Sequence, residues 1–291
     1  MSMKRLPIWI KSNKLNLNHE TQRKLKGWKV HTVCEEARCP NRQECFSKPT
    51  ATFLILGPEC TRNCGFCSVN RATGPLGVDP DEPRRIALAS KEMRLRHVVI
   101  TSVTRDDLPD GGASQFVKVI EELKKNLPEA TIEVLVPDFN GNLEALRSVI
   151  EAGPMVFNHN VETVPSLYKK VRPGASFERS IMILKKAKEI RPSILTKSGL
   201  MLGLGETMDE VIEVIKKLRN AHCDMLTIGQ YLRPAKANLP VVEYIKPEVF
   251  ETLKDRAKEL GFKYVASGPL VRSSMNAEDI LNFVGSIYEK G

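Results

Sequence analysis

The 291-residue sequence holds 44 basic and 35 acidic residues, a formal charge of +9, with 42% apolar and 27% charged residues. That balance suits a soluble globular chain with room for one large α/β domain and an appendage, and no apolar run approaches the roughly 20 residues needed to cross a bilayer. The excess of positive charge points to an acidic macromolecular partner or substrate, a nucleic acid or a negatively charged protein.

The N-terminal arm, residues 1–48, has no acidic residue before Glu20. A transit peptide would share that charge, but Pro7-Ile8-Trp9-Ile10 and the sparse serines fit one poorly, so a mature N-terminus is expected. Asn18 can cap a helix over 18–26, with Gly27 as its stop. Next comes a C-x4-C-x5-C triplet, Cys34, Cys39 and Cys45, which matches neither a zinc ribbon nor the usual ferredoxin run.

An apolar stretch, 51–57, reads as a strand and leads directly into a second triplet, Cys60, Cys64 and Cys67, with C-x3-C-x2-C spacing. Thiolates select zinc, copper(I) or iron–sulfur clusters. A four-iron cluster normally takes four cysteines, so three from one short loop would leave one iron without a protein ligand and open to chemistry. Zinc held by three thiols and a distant group is the plainer alternative. Disulfides fit poorly, because the thiols are clustered and no apolar leader is apparent, which favours a reducing interior. The seventh cysteine, Cys223, reads as a small buried hydrophobe.

From residue 79 onward helix and strand signals alternate. Asp79, Pro80 and Glu82 form a helix start, with the helix expected to reach about 96. A strand over 97–103, a helix over 113–126, a strand over 132–136, a helix over 142–152 and a strand over 156–160 follow. Then come a helix within 177–191, a strand near 200–204, a helix over 207–220 with Thr207 and Glu210 as its capping box, and a strand over 225–231. Pro247 opens a last strong helix that Gly261 can end, and 262–266 reads as a short strand. About six strand–helix units of this kind imply a parallel sheet.

A C-x3-C-x2-C loop after the first strand of such a series resembles the signature of the radical S-adenosylmethionine (SAM) superfamily. The upstream C-x4-C-x5-C narrows the resemblance to the lipoyl synthase family. Further matches are Arg38-Cys39-Pro40-Asn41, the stretch 100–108 containing Thr104-Arg105-Asp106-Asp107, the stretch 156–163 containing Asn158-His159-Asn160, the stretch 197–207, and Arg272-Ser273-Ser274. They extend from about Leu25 to Ala277, nearly the whole chain. Met275 stands where the family usually has tyrosine, which puts any role of that ring in doubt.

The resemblance implies an α/β fold, a partial (β/α)6 barrel over 49–291 with a C-terminal tail returning to the barrel mouth, and an N-terminal extension over 1–48 carrying an auxiliary cluster. It implies two 4Fe-4S clusters: one held by Cys60, Cys64 and Cys67, whose open iron takes the amino and carboxylate groups of SAM, and one held by Cys34, Cys39, Cys45 and Ser274. Read locally, Ser274 could equally cap a helix over 275–287. Asn158, Asn160 and Glu162 are then expected near the SAM ribose, Lys197 beside the methionyl carboxylate, and Gly203 and Gly205 where backbone approaches adenine; each also has an ordinary structural reading.

The implied reaction inserts two sulfur atoms at C6 and C8 of an octanoyl chain carried on a lysine of a lipoyl carrier domain, one SAM per carbon. Those carbons bear no acidic proton, so acid–base catalysis has nothing to act on and a radical route is required. The auxiliary cluster is the sulfur source, and a hard serine oxygen is a poorer iron partner than thiolate, which would let that iron leave. Expected partners are 2-oxoacid dehydrogenase E2 subunits and the glycine cleavage H protein, with flavodoxin or ferredoxin as electron donor, in the cytoplasm. A radical SAM sulfur-inserting enzyme acting on tRNA is the main alternative, and a zinc protein binding nucleic acid another; aromatics at 6% and no recognisable RNA-binding module weigh against a nucleic-acid target.

Overall fold

The computed structural model describes residues 6–10, 19–37, 39, 41, 51–74, 77–274 and 283. In chain order its strands are β1 (His31–Thr32), β2 (Thr52–Ile55), β3 (Glu59–Cys60), β4 (Asn70–Arg71), β5 (His97–Ser102), β6 (Thr131–Leu135), β7 (Val156–Asn158), β8 (Leu195–Leu202), β9 (Met225–Gln230) and β10 (Tyr264–Gly268). Its α-helices are α1 (His19–Gly27), α2 (Val33–Glu36), α3 (Glu82–Glu92), α4 (Ala113–Asn126), α5 (Leu143–Glu151), α6 (Tyr168–Val171), α7 (Phe177–Ile190), α8 (Met208–Asn220) and α9 (Pro247–Glu259).

Eight strands form one sheet in the order β1-β2-β5-β6-β7-β8-β9-β10, and β3 pairs with β4 alone. From β2 to β10 every pairing is parallel and every neighbour is the next strand of that sheet in the chain, with a helix in each crossover. A sheet wound in one direction like this curls toward a barrel, and among the described residues its two end strands do not pair, so it is open, in keeping with the expected partial barrel. β1 joins β2 antiparallel, pairing His31 with Leu54 and Thr32 with Phe53, so the N-terminal arm extends the first edge. The expected boundary near residue 48 falls outside the described residues.

Local chemistry explains the elements. β2, β5 and β9 are buried almost throughout, as strands covered on both faces must be. Helix α4 packs Phe116, Val119, Ile120 and Leu123 inward, the i, i+3, i+4, i+7 spacing of one face. Asn142 and Ser176 cap α5 and α7, and Thr207 with Glu210 forms the expected capping box on α8. Helix α3 begins later than expected: the Asp79 carboxylate accepts from the Asp81 N–H (2.9 Å), turning the chain before Glu82. It also ends earlier, at a left-handed Arg94 (φ 53°). Among the described residues no helix is long and apolar enough to cross a membrane.

The largest departure is β8, which begins at Leu195 rather than near 200 and so takes Lys197 into the sheet, where it is fully buried. Its ammonium donates to both oxygens of Glu133 on β6 (2.9 and 3.1 Å), which also accepts from Asn158 (2.9 Å) and lies 3.5 Å from His97. Burial alone would raise the Glu133 carboxyl, but Lys197 and His97 hold it at about 2, against an ordinary 4.5. A carboxyl lowered by folding contributes stability that is complete above about 4.5 and is lost as pH falls toward 2. Lys197→Met should cost about 3–5 kcal/mol in chemical denaturation by stranding a buried carboxylate, and adding Glu133→Gln should recover most of that loss and remove the matching part of the acid sensitivity.

Candidate functional site

The C-terminal strand ends and the segment after β10 enclose a cavity of about 520 Å³. Cys34 and Cys39 from the N-terminal arm, Cys60, Cys64 and Cys67 from the loop after β2, and Arg272, Ser273 and Ser274 from the C-terminal segment all line it. Two cysteine groups far apart in pattern and 21 residues apart at their nearest described members, 39 and 60, thus face one space. Asn41 ties the arm to the C-terminal segment by donating to the Leu270 carbonyl (2.6 Å), and Ser68 donates to the Glu36 carbonyl (2.8 Å). Cys45 and any helix after Ser274 lie outside the described residues. None of the six described cysteines is in a disulfide, and Cys223 is fully buried in the core.

The second cysteine loop is built onto the neighbouring strand ends. Arg62, between Cys60 and Cys64, donates Nε and Nη2 to the two oxygens of Asp106 (2.7 and 2.9 Å), and Nη2 also reaches Asp138 (2.7 Å) and Asn140 (2.8 Å). Arg179 holds the other Asp138 oxygen (3.1 Å). Burial would raise the Asp138 carboxyl, yet Arg62 holds it below the usual range. Thr61 donates through both its N–H and hydroxyl to the Thr104 carbonyl, and on the far side Gly65 exchanges backbone bonds with Val171 and Leu239. A Cβ at Gly65 would sit 2.8 Å from the Leu239 side chain and 3.3 Å from the Lys170 carbonyl, so a larger residue would have to displace Leu239.

The donor set fits an iron–sulfur cluster. The Cys60 sulfur accepts from the N–H groups of Arg62 (3.4 Å) and Thr104 (3.3 Å), the kind of contact that tunes cluster sulfurs. Burial pushes the Cys64 thiol up, with Arg172 opposing, and Cys67 up to about 12, so bare thiolates are disfavoured and coordinated cations would offset the cost. Among the described residues no three His, Cys, Asp or Glu side chains converge on a single ion.

Beyond β7 the chain presents Asn160 and Glu162 to the cavity. Glu162 is held at a left-handed φ of 65° by a bridge to Leu200, a strained conformation of the sort found where a side chain must be aimed. Burial raises its carboxyl, while Arg172 and the Asn160 amide (3.0 Å) oppose the rise. His159 also lines the cavity but is structural: it joins the Val136 carbonyl and Ser180 (both 2.9 Å), and burial lowers it to about 4.

Other expected positions lie elsewhere. Asn158 is fully buried beneath the cavity, bonded to Glu133 and Ser273. Lys197 is committed to Glu133 and does not line the cavity; Arg172, Arg233 and Arg272 do, and of these Arg172 donates to the carbonyls of Asn160 (2.9 Å) and Val161 (3.2 Å) and lies over the Tyr168 ring. Its Nε is buried without a partner among the described residues. The sequence offered no signal for Arg172 beyond a basic residue after a helix. Gly203 and Gly205 are also off the cavity lining: a side chain at Gly203 would strike Gln230 and the Glu243 carbonyl, so its role is packing against β9 and the loop beyond. Gly199 is the glycine beside Asn160, where a Cβ would sit 3.0 Å from Oδ1.

Comparison with known proteins agrees with this arrangement. The Radical SAM superfamily model matches residues 54–230. A lipoyl synthase of Caldanaerobacter subterraneus subsp. tengcongensis is 58% identical over 94% of this chain and 96% of its own length, and one of Alkaliphilus metalliredigens is 53% identical over 97% of each. Among solved structures, methylornithine synthase superposes with a TM-score of 0.54 at 14% identity, covering 94% of this chain and 90% of that one, which supports the fold alone. A radical SAM domain over more than half of the sequence, and more than half identity to curated relatives along nearly all of it, place this chain in the lipoyl synthase family of the radical SAM superfamily.

Proposed function

We propose that the residues around this cavity divide the family's reaction, sulfur insertion at C6 and C8 of a protein-bound octanoyl chain, between two clusters held by the two cysteine triplets. The observation that carries the division is that Cys34, Cys39 and Ser274 line the same cavity as Cys60, Cys64 and Cys67. Cys60, Cys64 and Cys67 hold the cluster that takes SAM; Cys34, Cys39, Cys45 and Ser274 hold the cluster that gives sulfur. Bound there, SAM and the two clusters supply a 5′-deoxyadenosyl radical for hydrogen abstraction and the sulfide for insertion. The chain's own part is placement and dryness. Apolar Val33, Leu54, Val136 and Leu200 are part of the wall and reduce access of water that would quench a radical.

Asn160 and Glu162 are the polar pair for the SAM ribose. Arg172, rather than Lys197, is the cation placed for the methionyl carboxylate, since it lines the cavity near Cys64 and Glu162 with one N–H unspent. The domain division follows the same lines, with 1–48 as the auxiliary-cluster extension and 49–291 as the barrel and tail. A lipoyl carrier domain is the macromolecular substrate of this family; E2 subunits and the glycine cleavage H protein are the proposed carriers, flavodoxin or ferredoxin the proposed electron donor, and the cytoplasm the proposed location. A tRNA target has nothing in its favour beyond charge, given relatives that match along the whole chain.

Replacing Cys34, Cys39 and Cys45 together by Ala should leave a protein that cleaves SAM to 5′-deoxyadenosine under reducing conditions but forms no thiolated octanoyl-lysyl peptide. The same change at Cys60, Cys64 and Cys67 should abolish both products, quantified side by side after anaerobic reconstitution; the reverse pattern would mean that the two clusters are exchanged. Arg172→Gln should weaken SAM binding by roughly 10- to 100-fold, the worth of a lost charged hydrogen bond, whereas an unchanged dissociation constant would remove Arg172 from the site. If the +9 charge steers an acidic carrier, added salt should slow the reaction on an intact carrier more than on a short octanoyl-lysyl peptide, because exposed charges are screened over about 8 Å.

A further inference from the structure

A single file of hydrogen bonds runs from the buried ion pair to the cavity, and its direction is fixed at its buried end. Glu133, held ionised by Lys197, can only accept, so Asn158 must turn its amino group toward it (2.9 Å). The second N–H of that group goes to the Ser273 hydroxyl (2.8 Å), which therefore accepts and has its own proton left to give to Asn160 Oδ1 (3.0 Å). With its oxygen taken, Asn160 is left with Nδ2 facing Glu162 Oε1 (3.0 Å). Ser273 is the link that comes from the C-terminal segment, and both it and its neighbour Ser274 line the cavity.

We propose that Ser273 is a positioning residue that couples the C-terminal Arg272-Ser273-Ser274 segment to SAM binding: its hydroxyl, accepting from Asn158 and donating to Asn160, fixes the orientation in which Asn160 holds Glu162 toward the cavity. Seating of the segment and filling of the SAM site then favour each other, and by linkage the effect is reciprocal. This inference rests on the reading of Asn160 and Glu162 as the SAM ribose pair. Its consequence for the reaction is order. A chain whose segment has left the cavity, with Ser274 no longer placed for the second cluster, holds SAM less well and so does not commit a SAM when no sulfur donor is in position.

The test uses the full chain with both clusters reconstituted anaerobically. Ser273→Ala should raise the SAM dissociation constant, measured by equilibrium dialysis, roughly five- to tenfold, the loss of about one neutral hydrogen bond, and Ser273→Thr, which keeps the hydroxyl, should restore it. In the unaltered chain SAM should slow amide exchange at 271–274, and in Ser273→Ala that slowing should be lost. Wild-type SAM affinity in Ser273→Ala, or equal protection of 271–274 in both proteins, would overturn the coupling while leaving the SAM site intact. Failure of the unaltered chain to bind SAM would overturn the reading of the site and the coupling with it. If Ser273→Ala holds no iron, exchange in the unaltered chain decides: no slowing by SAM refutes the proposal.

Discussion

The site depends first on the clamp that Arg62 makes onto the loops after β5 and β6. A loop carrying three cysteines has no regular hydrogen-bonding pattern of its own beyond the two-residue pairing of β3 with β4, and its backbone must be held by its surroundings. One guanidinium supplies much of that hold, reaching Asp106 after β5 and both Asp138 and Asn140 after β6. Its planar fork matches the Asp106 carboxylate in a way an ammonium could not. Because Asp138 is fully buried and shared with Arg179, the clamp also balances charge, and loss of either arginine would leave that carboxylate half compensated. The position of Cys60 thus follows from charges just after β5 and β6 rather than from its own loop.

Burial then sets what the cysteines can be. Thiols packed against apolar walls resist ionising, and Cys67 and Cys223 are both pushed up to about 12. What separates them is company. Cys223 sits alone in the core with its sulfur near the carbonyls of Thr196 and Met225, a small hydrophobe, while Cys67 shares a cavity with four other described thiols and three guanidinium groups. The same physical environment is inert in one place and a cluster site in the other, and the difference is convergence.

How much of this was legible in the sequence follows from the range of the interactions. Local signals are legible: α4 spans the expected 113–126, the Thr207–Glu210 box stands where side-chain chemistry puts it, and the helix expected over 142–152 is present over 143–151 with Asn142 as its cap. The cysteine spacings led to the family because their pattern is contiguous. Long-range partners were not legible. Lys197 is expected beside the methionyl carboxylate because the strand is expected to start after it; the signal for the earlier start is an apolar Ile194-Leu195 just upstream, and its partner Glu133 lies 64 residues away. Arg172 gave no pattern at all, since its meaning comes from Glu162 and Cys64 across the cavity.

The misplacement of Lys197 turns out to join the two halves of the site. A buried lysine–glutamate pair gives little net stability over a well-packed apolar alternative, since desolvation cancels much of the attraction. What an apolar replacement could not give is direction. Asparagine amides are ambiguous, with oxygen and nitrogen nearly interchangeable in shape, and a chain of two amides and a hydroxyl could run either way. An ionised Glu133 removes the choice, because it accepts and never donates, and every group up to Glu162 is then set in turn. Lys197 therefore acts on the cavity without touching it, by keeping Glu133 charged in a place where burial alone would neutralise it.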